Sequence, residues 1–314
     1  MTSAAPDLSV VLLCRNEQRY LPQSLTAFEH ERSQIREMIF IDDASTDGSL
    51  QTVEAAKSGL PPLSIVAQTE RRGVVTSLNE GLKRASCAYV LFAAADDVLL
   101  TGFFARSMAL LARYPQAALC STRSRLLDLS GRDLGVFQTP LPLPSDGFLD
   151  AASCKRALHD GDSWFMGNTT IFRRDALLEF GGFDPALGGF ADALACWTLA
   201  LRHGACFIPD ALGAKRDIGG GTGSSIHGDA ESAASVWRLA RRRMESEFGD
   251  RFSPALLDRM EARWRFNTAR YGLQAALTGL PGPVRDAAFV LGRAWLLLRH
   301  KPFDALLAVR RRLS

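Results

Sequence analysis

Four short apolar runs, each followed by a segment of helical periodicity, set the tightest limit on what this chain can become. Leu8–Cys14, Glu37–Ile41, Leu63–Ala67 and Ala88–Ala93 are too short for buried helices and are rich in valine, leucine, isoleucine and phenylalanine. Runs without polar alternation read as strands covered on both faces. Between them, Pro22 opens a helical pattern with Leu21, Leu25 and Phe28 on one side. Ser45, Thr46 and Asp47 are placed to cap a second helix, and Val74–Ala85 reads as a third. Phe103–Tyr114 adds a fourth helix and Ala117–Ser121 a fifth strand. Strands that alternate with helices are joined by right-handed crossovers. The expected fold is therefore α/β: a Rossmann-like, mostly parallel central sheet with helices on both faces.

In such a sheet, ligands bind beyond the carboxyl ends of the strands. The polar clusters of this chain fall there: Arg15-Asn16-Glu17 after the first strand, Asp42-Asp43 after the second, Asp96-Asp97 after the fourth. Adjacent carboxylates repel one another, so paired acids at the ends of buried strands call for a compensating partner. Asp96 and Asp97 are candidate ligands for Mg²⁺ or Mn²⁺, which take a few carboxylate oxygens and share substrate phosphate oxygens. Either residue also suits the N-cap of the following helix. Asp42, Asp43 and Asp47 combine turn chemistry with the capacity to accept a hydrogen bond from a nucleobase N–H or a ribose hydroxyl. Arg15 and Arg72 suit stacking on a base or contact with a phosphate. Asp192 heads the apolar helical run ADALACWTLALRHG, where a carboxylate either caps the helix or takes a proton from an attacking hydroxyl. His227 lies in the glycine-rich stretch DIGGGTGSSIHGD and is a candidate contact for a diphosphate or metal.

Other classes fall away. CRNEQRYL, after the first strand, lacks the glycines of a dinucleotide-binding turn or of a sugar nucleotidyltransferase loop, and no GxxxxGK[ST] occurs. A net charge of +3 argues against nucleic acid as a partner. The six cysteines form no CxxC pair and read as buried, reduced thiols, in keeping with a reducing compartment. The N-terminal MTSAAPDLS lacks the basic and apolar regions of a signal peptide, and no apolar stretch reaches the ~18 residues of a membrane span. The expected location is cytoplasmic, with the option of peripheral attachment to the inner face of a membrane.

With these residues in view, the chain resembles the family 2 glycosyltransferases over about residues 8–210. SVVLLCRNEQRYLPQSL is similar to that family's opening strand and helix, and IDDASTDGS to its DDxSxDGS stretch. RRGVVTSLNEGLKRASCAYVLFAAADDVLL resembles the segment leading to its DXD motif, and GNTTIFRRDALLEFGGFDPALGGFADALACWTLALRHG its acceptor-side segment. The resemblance implies a GT-A fold, inversion at the anomeric carbon, a nucleotide-diphosphate sugar donor, UDP-linked by expectation, and a divalent metal. Beside Glu17 and Arg72 as candidate nucleotide contacts and His227 as a candidate metal contact, read from the residues themselves, the resemblance places by position Leu13, Arg15, Asp43 and Asp96 at the nucleotide and Asp96 and Asp97 at the metal. It places Asp192 as general base and Trp164, Gly167 and Asn168 on the acceptor side. The chain departs from the pattern at Ala94, where a full DxDD motif has its first aspartate, at Cys14-Arg15, and at Ala191, where a Glu-Asp pair is common. Ala94 also motivates an alternative of another class, a non-catalytic nucleotide-sugar-binding or scaffolding protein.

The expected organisation is a catalytic domain over 1–228, with a nucleotide-sugar-binding half over 1–121 and an acceptor-binding half over 122–228, then a helical region over 229–314. That region, with its Arg241–Arg243 and Arg310–Arg312 clusters, is expected to pack on the catalytic domain, to pair with another subunit, or to lay the faces around Val284–Leu298 and Leu306–Leu313 on an anionic membrane. The acceptor implied is a glycan or a lipid-linked glycan.

Overall fold

The structure is a computed structural model that describes residues 7–161, 163–216, 229–277 and 291–292. His227, the helical faces around Val284–Leu298 and Leu306–Leu313, and the Arg310–Arg312 cluster lie outside the described residues. The chain divides into two compact units, one of residues 1–185 and 191–218, the other of 186–190 and 219–314.

The first unit is built on a ten-stranded sheet. Its strands are β1 (Leu8–Cys14), β2 (Glu37–Asp42), β3 (Leu63–Ala67), β4 (Tyr89–Ala94), β5 (Val98–Leu99), β6 (Leu119–Leu127), β7 (Asp133–Val136), β8 (Gly147–Leu149), β9 (Thr170–Arg173) and β10 (Ala205–Arg216). The order is β3-β2-β1-β4-β9-β6-β10-β5, with β7 beside β6 and β8 beside β10. The helices of this unit are α1 (Leu21–His30), α2 (Ser49–Ala56), α3 (Val74–Arg84), α4 (Phe103–Arg113), α5 (Ala151–Asp160), α6 (Arg174–Phe180) and α7 (Ala191–His203).

The first half matches the expectation closely, because its signals are local. β1 pairs in parallel with β2 and β4, and β2 with β3. Leu8, Val10, Leu12 and Cys14 of β1 join a core with Leu21, Leu25 and Phe28 of α1 and Phe103 and Phe104 of α4. Burying each such side chain contributes about 1.5–3 kcal/mol. The other face of β1 meets α3 so closely that a Cβ on Gly81 would lie 2.3 Å from Val11 Cγ1. The absence of a side chain at that position is what lets α3 seat on the strand.

The second half is mixed rather than parallel. β9 runs antiparallel to both β4 and β6, while β6 and β10 are parallel to each other. β6 extends well past the run Ala117–Ser121, and β10 is longer still. The polar TRSR sequence of β6 continues as strand because β10 and β7 pair with it. β10 passes Pro209-Asp210 by register shifts between Ile208 and Ala211 and between Ala211 and Gly213, the usual way a strand absorbs a proline. α5 gives little sequence signal, and its start is fixed by Asp150, whose carboxylate accepts the Ser153 N–H at 2.7 Å. α2 likewise starts two residues beyond the last expected cap, at Ser49, with Asp47 accepting the Ser49 N–H at 2.9 Å.

The second unit contains α8 (Ala230–Ser246) and α9 (Pro254–Ala276). Asp229 caps α8 by accepting the Ser232 N–H. Trp237 and Trp264 stack with centroids 5.9 Å apart, and the Phe190 ring meets Trp264 edge-on at 4.9 Å. Arg241 reaches Glu245 on its own helix and Asp258 and Glu261 on α9. No described helix is long and apolar enough to cross a membrane.

Candidate active site

Backbone registers place the chemistry. Cys14 lies opposite Asp42 and Leu13 opposite Ala94, so the ends of β1, β2 and β4 open onto one edge of the sheet. The loops that leave β1 and β2 are locked together there. The Asn16 N–H donates to Ser45 Oγ at 2.9 Å, the Thr46 N–H to Asn16 Oδ1 at 2.7 Å, and the Gln18 N–H to Asp47 Oδ2 at 3.1 Å. Asn16 and Ala44 both take positive φ in these loops, at 56°. A non-glycine residue in that region is held by its surroundings, and here the cross-loop bonds do the holding.

Asp43 is buried beyond this lock. Its Oδ1 accepts the Arg72 N–H at 2.6 Å, and its two oxygens accept the Gly73 N–H at 3.2 and 3.1 Å. The carboxylate thus pins the turn before α3 and leaves Oδ2 with capacity for a further donor. The Arg15 and Arg72 side chains are exposed. The Leu13 carbonyl accepts the Ala95 N–H at 2.9 Å, so it extends the sheet and has only its second lone pair to offer.

The turn after β4 gathers more charge than the dipeptide suggests. Asp96 and Asp97 are electrostatic neighbours of Glu17. Burial, followed by the charges of Asp96, Asp97 and Asp47, pushes the Glu17 pKa up to about 8. Burial also raises Asp96, and burial together with the Asp96 charge raises Asp97. Lys215 and Arg216, at the end of β10, counter both aspartates. The Arg216 N–H donates to Asp97 Oδ1 at 3.1 Å.

Asp192 opens α7 and accepts its neighbour's N–H, from Ala193, at 2.7 Å. Burial raises its pKa, and Lys215 is the cation that opposes the rise. Lys215 is therefore an electrostatic neighbour shared by Asp96, Asp97 and Asp192, residues nearly a hundred positions apart in the chain. Gly167 lies against Asp192: a Cβ on it would be 2.8 Å from Asp192 Oδ2. Asn168 donates from Nδ2 to Ser124 Oγ at 3.1 Å, and its buried Oδ1 has no hydrogen-bond partner among the described residues. Trp164 is fully buried and packs on Phe165 at 4.5 Å, so it supports this region from beneath and presents no surface to a ligand.

Sequence reading missed Lys215 and Arg216. Their signal was a basic pair before a glycine-rich stretch, a pattern that surface residues share. Only the continuation of β10 past Pro209 carries them to the carboxylates. Among the described residues, no group of three or more His, Cys, Asp or Glu side chains is placed to enclose a metal ion by itself.

The profile of Glycosyl transferase family 2 matches residues 9–178, more than half of the 314-residue chain. The chain belongs to that family. It is 23% identical over 195 residues to a poly-beta-1,6-N-acetyl-D-glucosamine synthase of Staphylococcus aureus, a stretch that is 62% of this chain but 46% of that protein. It spans, then, about half the length of that relative. Among solved structures it resembles S. aureus TarS 1-349 in complex with UDP-GlcNAc, at a TM-score of 0.66 and 18% identity, over 94% of this chain and 81% of that one. It also resembles the mannosyltransferase PcManGT of Pyrobaculum calidifontis in complex with GDP-Man and Mn²⁺, at a TM-score of 0.60 and 23% identity, over 97% and 84% of the two chains. The fold is GT-A, with a helical C-terminal region.

Proposed function

We propose that the chain transfers a sugar, with inversion, from a nucleotide-diphosphate sugar to a hydroxyl of a glycan or lipid-linked acceptor. The observation that carries this reading is that β10 joins the surroundings of the acids: its Arg216 N–H holds Asp97, and its Gly213 lies against Asn168, the neighbour of the Gly167 that abuts Asp192. One polar space then serves a base and a set of carboxylates, as displacement of a diphosphate by a hydroxyl requires.

In this reading the loops after β1 and β2, with Asp43, Arg15 and Arg72, receive the nucleoside. The donor set of the Asp96-Asp97 turn fits a hard divalent cation: it offers carboxylate oxygens raised by burial and mutual repulsion, a strain that a bound cation relieves. Two carboxylates leave the rest of such a shell to phosphate oxygens and water, which is how Mg²⁺ and Mn²⁺ bind nucleotides. A cation bound there neutralises charge on the departing diphosphate. Asp192 accepts the acceptor hydroxyl's proton at its carboxylate as the new bond forms. Its raised pKa makes it a stronger base than an exposed aspartate. Lys215, an electrostatic neighbour of these acids, offers a cation to offset negative charge as the diphosphate leaves. Gly167 leaves room beside Asp192 for the acceptor.

The known relatives suggest UDP-GlcNAc and GDP-Man as first donors to screen, and polysaccharide synthesis as the setting. The test is a nucleotide-sugar panel with Mn²⁺ or Mg²⁺, scored for nucleoside-diphosphate release in the wild type and in Asp192→Asn. Release from one donor, abolished in the variant while nucleotide binding persists, supports the assignment. Equal turnover in the two proteins would refute it.

A further inference from the structure

Arg216 stands out among the residues that the reaction does not yet use. It is 3% exposed, at the last position of β10. Its guanidinium donates from Nε to the Asp96 carbonyl at 3.2 Å, from Nη1 to the Asp128 carbonyl at 3.1 Å, and from Nη2 to Gln23 Oε1 at 2.7 Å. Its plane lies over the Tyr20 ring, with Cζ 4.4 Å from the centroid. Its own backbone N–H holds Asp97 Oδ1. One residue thus grips both halves of the acidic turn, the main chain of Asp96 and the carboxylate of Asp97. It ties them to the hairpin between β6 and β7 and to the start of α1.

The chemistry of the grip is specific. Arginine stays charged at all working pH values, and its planar fork fixes several acceptors at once, where a lysine gives a single flexible charge. The fork is spent on two carbonyls and an amide oxygen, none of them charged, so the positive charge is not cancelled by a salt bridge and remains available to the nearby acids. Asp97 is held by one oxygen only, which orients the other. We infer that Arg216 is a positioning residue for the donor site: it sets the geometry of the Asp96-Asp97 turn so that a divalent cation and the diphosphate find it formed before they bind. This inference rests on the donor-binding reading of that turn.

The experiment measures Mn²⁺ binding to the full chain by loss of the free-ion EPR signal, and separately measures UDP and GDP binding by calorimetry with and without Mn²⁺. Arg216→Met is expected to lower Mn²⁺ affinity at least tenfold in the presence of the preferred nucleotide, while metal-free nucleotide affinity stays within threefold. Arg216→Lys is expected to fall between Arg216→Met and the wild type, since it keeps the charge and loses the fork. Unchanged Mn²⁺ affinity in Arg216→Met, or an equal loss of metal-free nucleotide binding, overturns the inference and leaves the donor-site reading standing. A wild type whose nucleotide binding ignores Mn²⁺ sinks the donor-site reading itself. Should Arg216→Met not fold, Gln23→Ala and Tyr20→Leu loosen the grip while keeping the arginine. Both are expected to weaken Mn²⁺ binding two- to fivefold, and wild-type affinity in both overturns the inference.

Discussion

Asp43 and Asp97 each follow a buried parallel strand and each accept a backbone N–H from a distant segment, yet they stand in opposite electrostatic surroundings. Asp43 receives two backbone donors, from Arg72 and Gly73, and closes the turn that leads into α3. Asp97 receives one, from Arg216, and shares its space with Asp96 and Glu17. The first carboxylate is part of the scaffold and has been given what it needs. The second belongs to a cluster whose charges oppose each other until something positive arrives. Strand ends alone do not distinguish the two settings. What distinguishes them is which segments the fold brings over each strand end.

That contrast can be tested by substitution, beginning with the largest effect. Asp192→Asn, on the Asp97 side of the comparison, should reduce transfer by about 10²–10⁴, the range that general-base catalysis supplies, with nucleotide affinity within twofold. The same variant should gain stability relative to the wild type as pH rises. Burial raises the Asp192 pKa, so the folded chain favours the neutral carboxyl. That preference stabilises fully below the unfolded pKa and is lost as pH rises through the folded one. Asparagine imitates the neutral form throughout, so the unfolding temperatures of the two proteins should diverge as pH rises above about 3.8 and then hold a constant difference.

Next in size is the direct comparison of the strand ends. Asp97→Asn should lower metal-dependent turnover roughly 100-fold, and under chelator at neutral pH it should unfold at a higher temperature than the wild type, because burial and the Asp96 charge make the folded chain resist ionising Asp97. Asp43→Ala should destabilise the chain by about 1–3 kcal/mol, because it strands two backbone donors, and should weaken nucleotide binding with and without metal alike. If the two variants gave the same profile, the division between scaffold and site would fail. Gly167→Ala is smaller again. The added methyl would sit 2.8 Å from Asp192 Oδ2, so the carboxylate must turn away. A loss of about tenfold in kcat is expected, as for a modest misplacement of a reacting group, with an unchanged melting temperature.

The mildest change is Glu17→Gln. With its pKa pushed up to about 8, Glu17 is largely neutral near pH 7 in the metal-free chain. Under chelator the wild type loses stability as pH rises from about 4.5, where the unfolded chain begins to ionise Glu17, to about 8, where the folded chain does, and the loss levels off above that. Glutamine does not titrate, so the variant's unfolding temperature should gain on the wild type's across that window and keep a constant lead above it. A constant difference across pH would show that Glu17 does not feel that cluster.

The sequence marked the positions of this site better than their surroundings. The pairs Asp42-Asp43 and Asp96-Asp97 were legible because a buried strand ending in acids is a local pattern. Asp192 was legible as the polar head of an apolar helix. Glu17 reads from the sequence as a nucleotide contact, and in the structure burial, with the charges of Asp96 and Asp97 added, raises its pKa. Trp164 had been assigned to the acceptor side from its place in the chain, and the fold buries it completely. Arg216 had no local signature, because its partners Gln23, Asp96 and Asp128 are 88 to 193 residues away.

By itself the sequence determined the alternation of strands and helices, the parallel order of the first four strands, and the acids at their ends. These follow from hydrophobic periodicity and chain handedness, which act over a few residues or one crossover. The tertiary structure alone decided that β10 runs on past Pro209, that its last two residues reach the carboxylates, and which acids meet backbone donors and which meet each other. Those outcomes depend on long-range pairing and on burial, which change the energy of a charge by more than its neighbours in sequence can.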